Sequence, residues 1–439
     1  MLDALGSLIQ RVADVVFMPW IVLVLLGTGA FLTIRLRFVQ IVRLPEAMRT
    51  MVASQQEDAG GALTPFQAFA TALAASIGTG NIAGVATAIV SGGPGALFWI
   101  WCYGFFATAI KFSEAVLGVT FRVVRGDTVS SGPMYYLRQG LKSPVLAGTY
   151  ALVAAVAALT TTPFTQPNSV AVVLASEFAI PTWVSGIAIA VLTWLVIIGG
   201  VKSVGRAAEK LAPLKVGLYL IGGVVVIGYH IQHVPETLAL VFREAFSLRA
   251  ASGTAAGLGV LVAIRYGMAR GVYANEAGYG TAAVAYGTAR SRRPEQQGLN
   301  AVMEVFIISF VTSTISAMTI LVSGVWQSGL TSTAVVAQAF NTAIPTVGGW
   351  IVAFCAFLFG YTTLIGWAYY GEQFFEYLLG TRVTTAYRWT YCLLIPFGAM
   401  ARVDVVWAWG DLMNGLQVFP NVIGLLGLSG VVAMAARRR

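Results

Sequence analysis

Apolar residues run along this chain in long stretches separated by short polar or glycine-rich breaks, at 15–34, 62–92, 95–121, 146–176, 182–200, 208–229, 254–284, 298–324, 347–371, 386–401 and 405–434. A helix rising 1.5 Å per residue needs about 20 apolar residues to cross hydrocarbon, so the pattern predicts eleven membrane-spanning helices. Two runs differ from the rest. Glycines interrupt 62–92 and charges interrupt 254–284, so neither reads as a plain lipid-facing helix. The first run, Val15 to Thr33, is long enough to remain as a span, and Met1 to Gln10 lacks the basic region and short apolar core of a cleavable signal.

Composition agrees with lipid as the main solvent. Of the 439 residues, 57% are hydrophobic and 10% charged, against about 25% charged in soluble domains; mean hydropathy is +0.78. The net charge of +9 comes from a shortage of acids and sits in short loops, which points to topology and not to nucleic acid. If the N-terminus lies outside and the C-terminus in the cytoplasm, 20 of the 27 basic residues fall in inner segments, with Lys202, Arg206, Lys210 and Lys215 counted in one of them. Four fall outside, and Lys111, Arg265 and Arg270 fall within spans. Lys111 and Glu114, one turn apart near the inner end of their span, read as a pair or as snorkelling side chains. Cys102, Cys355 and Cys392 all lie in apolar runs without metal or disulfide spacing.

Setting the first helix aside leaves ten spans. Split five and five, the two irregular runs each open a half. An odd number of spans per half makes the second inverted relative to the first, the pattern of transporters whose broken first helices bind substrate and ions at the membrane midplane. The reading is residues 1–60 as an extra helix and linker, then a core over 61–439 with repeats at about 61–231 and 253–436.

Four clusters carry chemistry. Ser76-Ile77-Gly78-Thr79-Gly80-Asn81-Ile82-Ala83-Gly84 places three glycines and Asn81 in mid-span. Each glycine costs roughly 1 kcal/mol against alanine in a helix. Unwinding there frees N–H groups for a carboxylate and C=O groups for a cation; close packing through small residues is the alternative. Gly267 through Gly280 buries Arg270 and Glu276, with Tyr273 and Asn275 between them. A charge at a helix centre costs on the order of 2.5–3.5 kcal/mol, so Arg270 and Glu276 face each other across a break as a gating or structural pair, or handle an ion or proton. Gln166-Pro167-Asn168-Ser169 sets a polar cluster beside a helix-bending proline, for a site or for interhelical bonds. Tyr361-Thr362-Thr363 supplies hydroxyls suited to hard cations, though threonine also bonds its own backbone. His230 and His233, the only histidines, read as loop residues.

Together these segments resemble the alanine/glycine:cation symporter family. The resemblance rests on Thr71-Ala72-Leu73 through Gly78-Thr79-Gly80-Asn81-Ile82-Ala83-Gly84-Val85-Ala86-Thr87-Ala88, on Gly92-Gly93-Pro94-Gly95-Ala96, on Arg270-Gly271 with Asn275-Glu276-Ala277-Gly278, and on Thr362-Thr363-Leu364-Ile365-Gly366-Trp367-Ala368-Tyr369-Tyr370-Gly371-Glu372. Gly27-Thr28-Gly29 with Leu32-Thr33-Ile34-Arg35 also matches. The resemblance implies a leucine-transporter-like all-α fold and import of a small neutral amino acid with sodium across a bacterial or archaeal cytoplasmic membrane. It implies no bound cofactor. By similarity Thr79 and Gly80 amides would meet the substrate carboxylate, with Ser76, Gly78, Asn81, Gln166, Gly267, Tyr273 and Asn275 around the substrate. The Ala74, Ile77 and Phe359 carbonyls and the Thr362 and Thr363 hydroxyls would hold sodium. The chain departs from the family pattern at Tyr273-Ala274 in place of Phe-Ser, at Tyr279 and Thr281, at Val284-Ala285-Tyr286-Gly287 and at Ile308 in place of Asp. These bear on substrate identity and ion coupling.

The rival readings are proton coupling through Glu276, a non-transporting receptor, and an intramembrane enzyme. An enzyme would need a base or metal cluster at depth, and Glu276 reads as the one obvious acid there. A receptor would need a signalling domain, and the sequence stops at Arg437-Arg438-Arg439.

Overall fold

The structure, a computed structural model, describes residues 20–52, 60–125, 128–247 and 258–437. The start of the first apolar run and residues 254–257 of the seventh lie outside the described residues. Most of the rest of each run falls on helix. Among the described residues, five helices can cross a membrane by length and composition, or up to seven if each bent pair counts as one span. Val22–Arg35 and Thr182–Ile197 are apolar but shorter. Leu23, Ile34, Leu152, Leu195, Ile221, Leu393 and Phe397 are more than half exposed. Apolar side chains spread this widely over helix surfaces suit a lipid-facing exterior.

Both irregular runs are broken. In the first, Pro65–Ser76 starts with a capping box, Thr64 Oγ1 accepting from Gln67 N while Gln67 Oε1 accepts from Thr64 N, and with proline at a position that needs no N–H donor. It stops at Ile77 and Gly78. A short turn, Thr79–Asn81, leads into Ala83–Gly92 at 62° to the first half. In the second, Leu258–Asn275 gives way to residues 276–280 before Thr281–Gly287 begins. Glu276, Gly278 and Gly280 have φ of +55°, +97° and +85°. Two of these three left-handed positions are glycines, the residue that adopts them without a Cβ penalty.

Around the breaks, Ala96–Thr120 packs on Pro294–Val305, Leu258–Asn275 and Thr281–Gly287, while Gly200–Tyr229 packs on Pro65–Ser76 and Val347–Leu379. The helix over 294–322 carries a π-helical stretch, Phe306–Thr312, inside which Ile308 is buried. Ser313 Oγ donates to Ile308 O at 2.9 Å, the carbonyl that also accepts from Ser313 N across the wider turn. Helices at Val234–Ala245 and Ser332–Ala343 and a two-stranded hairpin, Val123–Arg125 with Thr128–Ser130, connect the larger elements.

Candidate functional site

A chain that breaks a helix inside a low-dielectric interior must find new partners for the freed backbone groups. At the first break Gln166 Oε1 accepts from both Thr79 N and Thr79 Oγ1 at 3.0 Å. Asn81 Nδ2 donates back to Ser76 O at 3.2 Å, and Ser316 Oγ donates to Asn81 O at 2.7 Å. Gly78 permits this geometry. A Cβ there would lie 2.7 Å from Thr363 Oγ1 and 2.9 Å from Gln166 Oε1.

At the second break one carboxylate oxygen does most of the work. Glu114 Oε1 accepts from Gly278 N at 2.9 Å, Gly280 N at 3.0 Å and Asn421 Nδ2 at 2.7 Å. Tyr103 OH and Tyr150 OH donate to the carbonyls of Ala277 and Tyr279. The reading of Lys111 and Glu114 as a pair or as snorkelling side chains is therefore corrected. Both are fully buried, and they serve different partners. Lys111 Nζ donates to Glu304 Oε1 at 2.5 Å, Asn275 O at 2.6 Å and Ser76 Oγ at 2.9 Å. Glu304 also accepts from Ser76 Oγ and Tyr286 OH. Sequence reasoning missed Glu304 and counted Glu276 as the one acid at depth. A glutamate inside the run 298–324 was the available signal.

Between the two breaks lies a small cavity. Ala75, Ser76, Gly78, Gly80, Thr162, Gln166, Tyr273, Glu276, Tyr279, Thr363, Trp367 and Asn414 line it. Its free volume of about 10 Å³ is near the minimum that holds one water, so only a small guest enters without large rearrangement. Of the residues expected around a substrate, Ser76, Gly78, Gly80, Gln166 and Tyr273 are in the lining, and Thr79 stands behind it through Gln166. Three are elsewhere. Asn81 stitches the break, Asn275 bonds Gly271 O and Ser309 Oγ, and Gly267 lets its helix approach Ala96 O and Trp99. Ala75, Thr162, Tyr279, Trp367 and Asn414 are additions.

Arg270 and Glu276 do not pair with each other. Glu276 Oε1 accepts from Trp367 Nε1 at 2.6 Å and Oε2 from Thr281 Oγ1 at 3.0 Å, which leaves its carboxylate on the cavity wall. Arg270 Nη2 instead donates to Asp411 Oδ2 at 2.8 Å, and its guanidinium lies 5.2 Å from the Trp407 ring centre. Arg270 and Trp407 also line a second cavity of about 250 Å³, while the Tyr273 ring packs on Trp407 at 4.9 Å, tilted by 49°, and its hydroxyl donates to Thr165 Oγ1. Tyr273 of the first cavity therefore meets Trp407 of the second, with the Arg270–Asp411 pair beside them. Asp411→Ala is expected to speed labelling of a Thr162→Cys reporter by a small thiosulfonate at least about tenfold, the effect of removing one pair worth about 1.4 kcal/mol or more. An unchanged rate would mean that the pair closes nothing.

The five groups expected to hold sodium do converge. Thr363 Oγ1 donates to Ala74 O and Thr362 Oγ1 to Phe359 O, both at 3.2 Å. The position between them is not open, however. Lys215 Nζ donates to Ala74 O at 3.1 Å and to Ile77 O and Thr362 Oγ1 at 2.5 Å, above the Phe359 ring. Counting Lys215 among the charges of a cytoplasmic segment is corrected too, since it is fully buried within Gly200–Tyr229.

The sodium:alanine symporter family profile matches residues 2–438. The chain belongs to the sodium:alanine symporter family. The sodium/alanine symporter AgcS of Methanococcus maripaludis is 39% identical over 97% of this chain and 95% of its own length. An uncharacterized transporter of Haemophilus influenzae is 37% identical over 97% and 94%. Among solved structures, a manganese transporter of Eremococcus coleocola superposes with a TM-score of 0.59 over 84% of this chain and 82% of its own, at 14% identity. That likeness concerns the fold alone, which is leucine-transporter-like. This family member is thus a multi-pass membrane transporter for amino acids and not an enzyme.

Proposed function

We propose that the protein imports a small neutral amino acid, alanine or glycine, together with sodium by alternating access, with its N-terminus outside and its C-terminus in the cytoplasm. The carrying observation is how the cavity distributes charge. On one wall, Gln166 Oε1 takes two hydrogen bonds from Thr79, the place and donors that one oxygen of a substrate carboxylate would use. On another stands the Glu276 carboxylate, suited to an α-ammonium. Family membership and the sodium/alanine relative support the substrate and ion. Both halves of the core open with a broken helix, at Ser76 and at Asn275, which supports the inverted five-plus-five reading with one helix in front.

The test is uptake of labelled alanine and glycine into proteoliposomes, with inward sodium and with choline in its place. Accumulation that needs sodium is expected; equal accumulation driven by a proton gradient without sodium would replace this reading with proton coupling. Gln166→Glu sets a second negative charge beside the position proposed for the carboxylate. At a buried-charge cost of about 2.5–3.5 kcal/mol, uptake should fall about 100-fold with the protein still folded. A loss below tenfold would move the carboxylate site away from Gln166.

A further inference from the structure

The position of Lys215 demands an explanation. A buried ammonium ordinarily finds a carboxylate, because desolvating a charge without one is costly. Among the described residues no carboxylate lies within ion-pair distance of Lys215 Nζ. Its three protons meet three neutral oxygens, Ala74 O, Ile77 O and Thr362 Oγ1. This is the ligand chemistry of a hard cation site, carbonyls and a hydroxyl with no formal charge.

The carbonyls are not arbitrary ones. Pro65–Ser76 ends at the break, so the chain beyond cannot supply the N–H groups that would continue the helix. Its last carbonyls carry the negative end of the helix dipole. A positive charge on this axis stabilises the break. Thr362 and Phe359 belong to Val347–Leu379, so the same charge also fastens the half-helix to that neighbour.

We propose that Lys215 is a built-in cation: its tethered ammonium fills the site formed by Ala74, Ile77 and Thr362, this site takes no sodium in the wild-type protein, and the transported sodium binds elsewhere. This deepens the transport reading above and rests on it only for the existence of a transported sodium. A sodium ion at this position could leave with each cycle, whereas a lysine cannot. The contact between Pro65–Ser76 and Val347–Leu379 is then released only when Gly200–Tyr229 shifts.

The test needs no amino acid, so it stands even if alanine and glycine are the wrong substrates. Thermal unfolding of the purified protein is followed in choline, sodium and ammonium chloride. Lys215→Ala is expected to unfold several degrees lower than wild type in choline, and to regain at least half of that loss in ammonium or sodium chloride. The regain should disappear in Lys215→Ala with Thr362→Val. If Lys215→Ala cannot be purified, Thr362→Val alone decides. It should leave the sodium concentration giving half of any thermal shift within twofold of wild type. A tenfold increase in that concentration, or a Lys215→Ala protein whose response to ammonium and sodium matches wild type, would overturn the proposal.

Discussion

Lys111→Met should destabilise the protein by roughly 3–5 kcal/mol, the usual cost of stripping one partner from a buried ion pair. The substitution conserves volume reasonably well, so the loss is electrostatic. It leaves the Glu304 carboxylate with only Ser76 Oγ and Tyr286 OH, and it removes the donor to Asn275 O. The measurement is reversible unfolding in mixed micelles, read by tryptophan fluorescence. The double change Lys111→Met with Glu304→Leu should recover at least half of the loss, because an apolar pair does not leave a buried charge uncompensated. Equal stability of Lys111→Met and wild type would mean that Lys111 reaches water and that the burial described here is wrong.

Gly78→Ala should reduce uptake by at least about 30-fold while sparing expression. The added methyl would lie 2.7 Å from Thr363 Oγ1 and 2.9 Å from Gln166 Oε1. Both side chains must give way, and the bonds from Thr79 to Gln166 go with them. Overpacking costs about 1–3 kcal/mol and each lost hydrogen bond about 0.5–1.5, which together span a 30-fold effect. Gly84→Ala is the control on the same run. Its methyl would meet only Arg270 Cδ at 3.5 Å, an ordinary contact, so uptake within twofold of wild type is expected. Equal loss from both would point to general helix damage and not to the cavity.

Much of this site could be read from residues because the breaks have a local cause. Glycines at 78 and 80, and the close-set Glu276, Gly278 and Gly280, cannot hold a regular helix cheaply, and the sequence shows them directly. The cation-type cluster of Ala74, Ile77, Phe359, Thr362 and Thr363 was reached through resemblance, and it does converge. Partnership was not legible. Arg270 and Glu276 are six residues apart and looked like a pair, yet each is held from distant helices, by Asp411 and by Trp367 with Thr281. Nothing local encodes which of several buried charges meet across the bundle. Lys215 shows a different failure. It lies well inside the run 208–229, but a count of positive charges by loop absorbed it as one more basic residue near a helix end. Taken as a charge at depth, it would have raised the question its three oxygen partners now answer.

Lys111 also touches the last residue of each first half-helix, through Ser76 Oγ and Asn275 O. One ammonium therefore ties the two breaks directly to each other. A tilt at one break is transmitted to the other without travelling through the cavity, so the halves should swing as one mechanism whether or not cargo is aboard. For such a machine, slippage is restrained by the frame itself, and a leak would come sooner from loosening Lys111 than from enlarging the pocket.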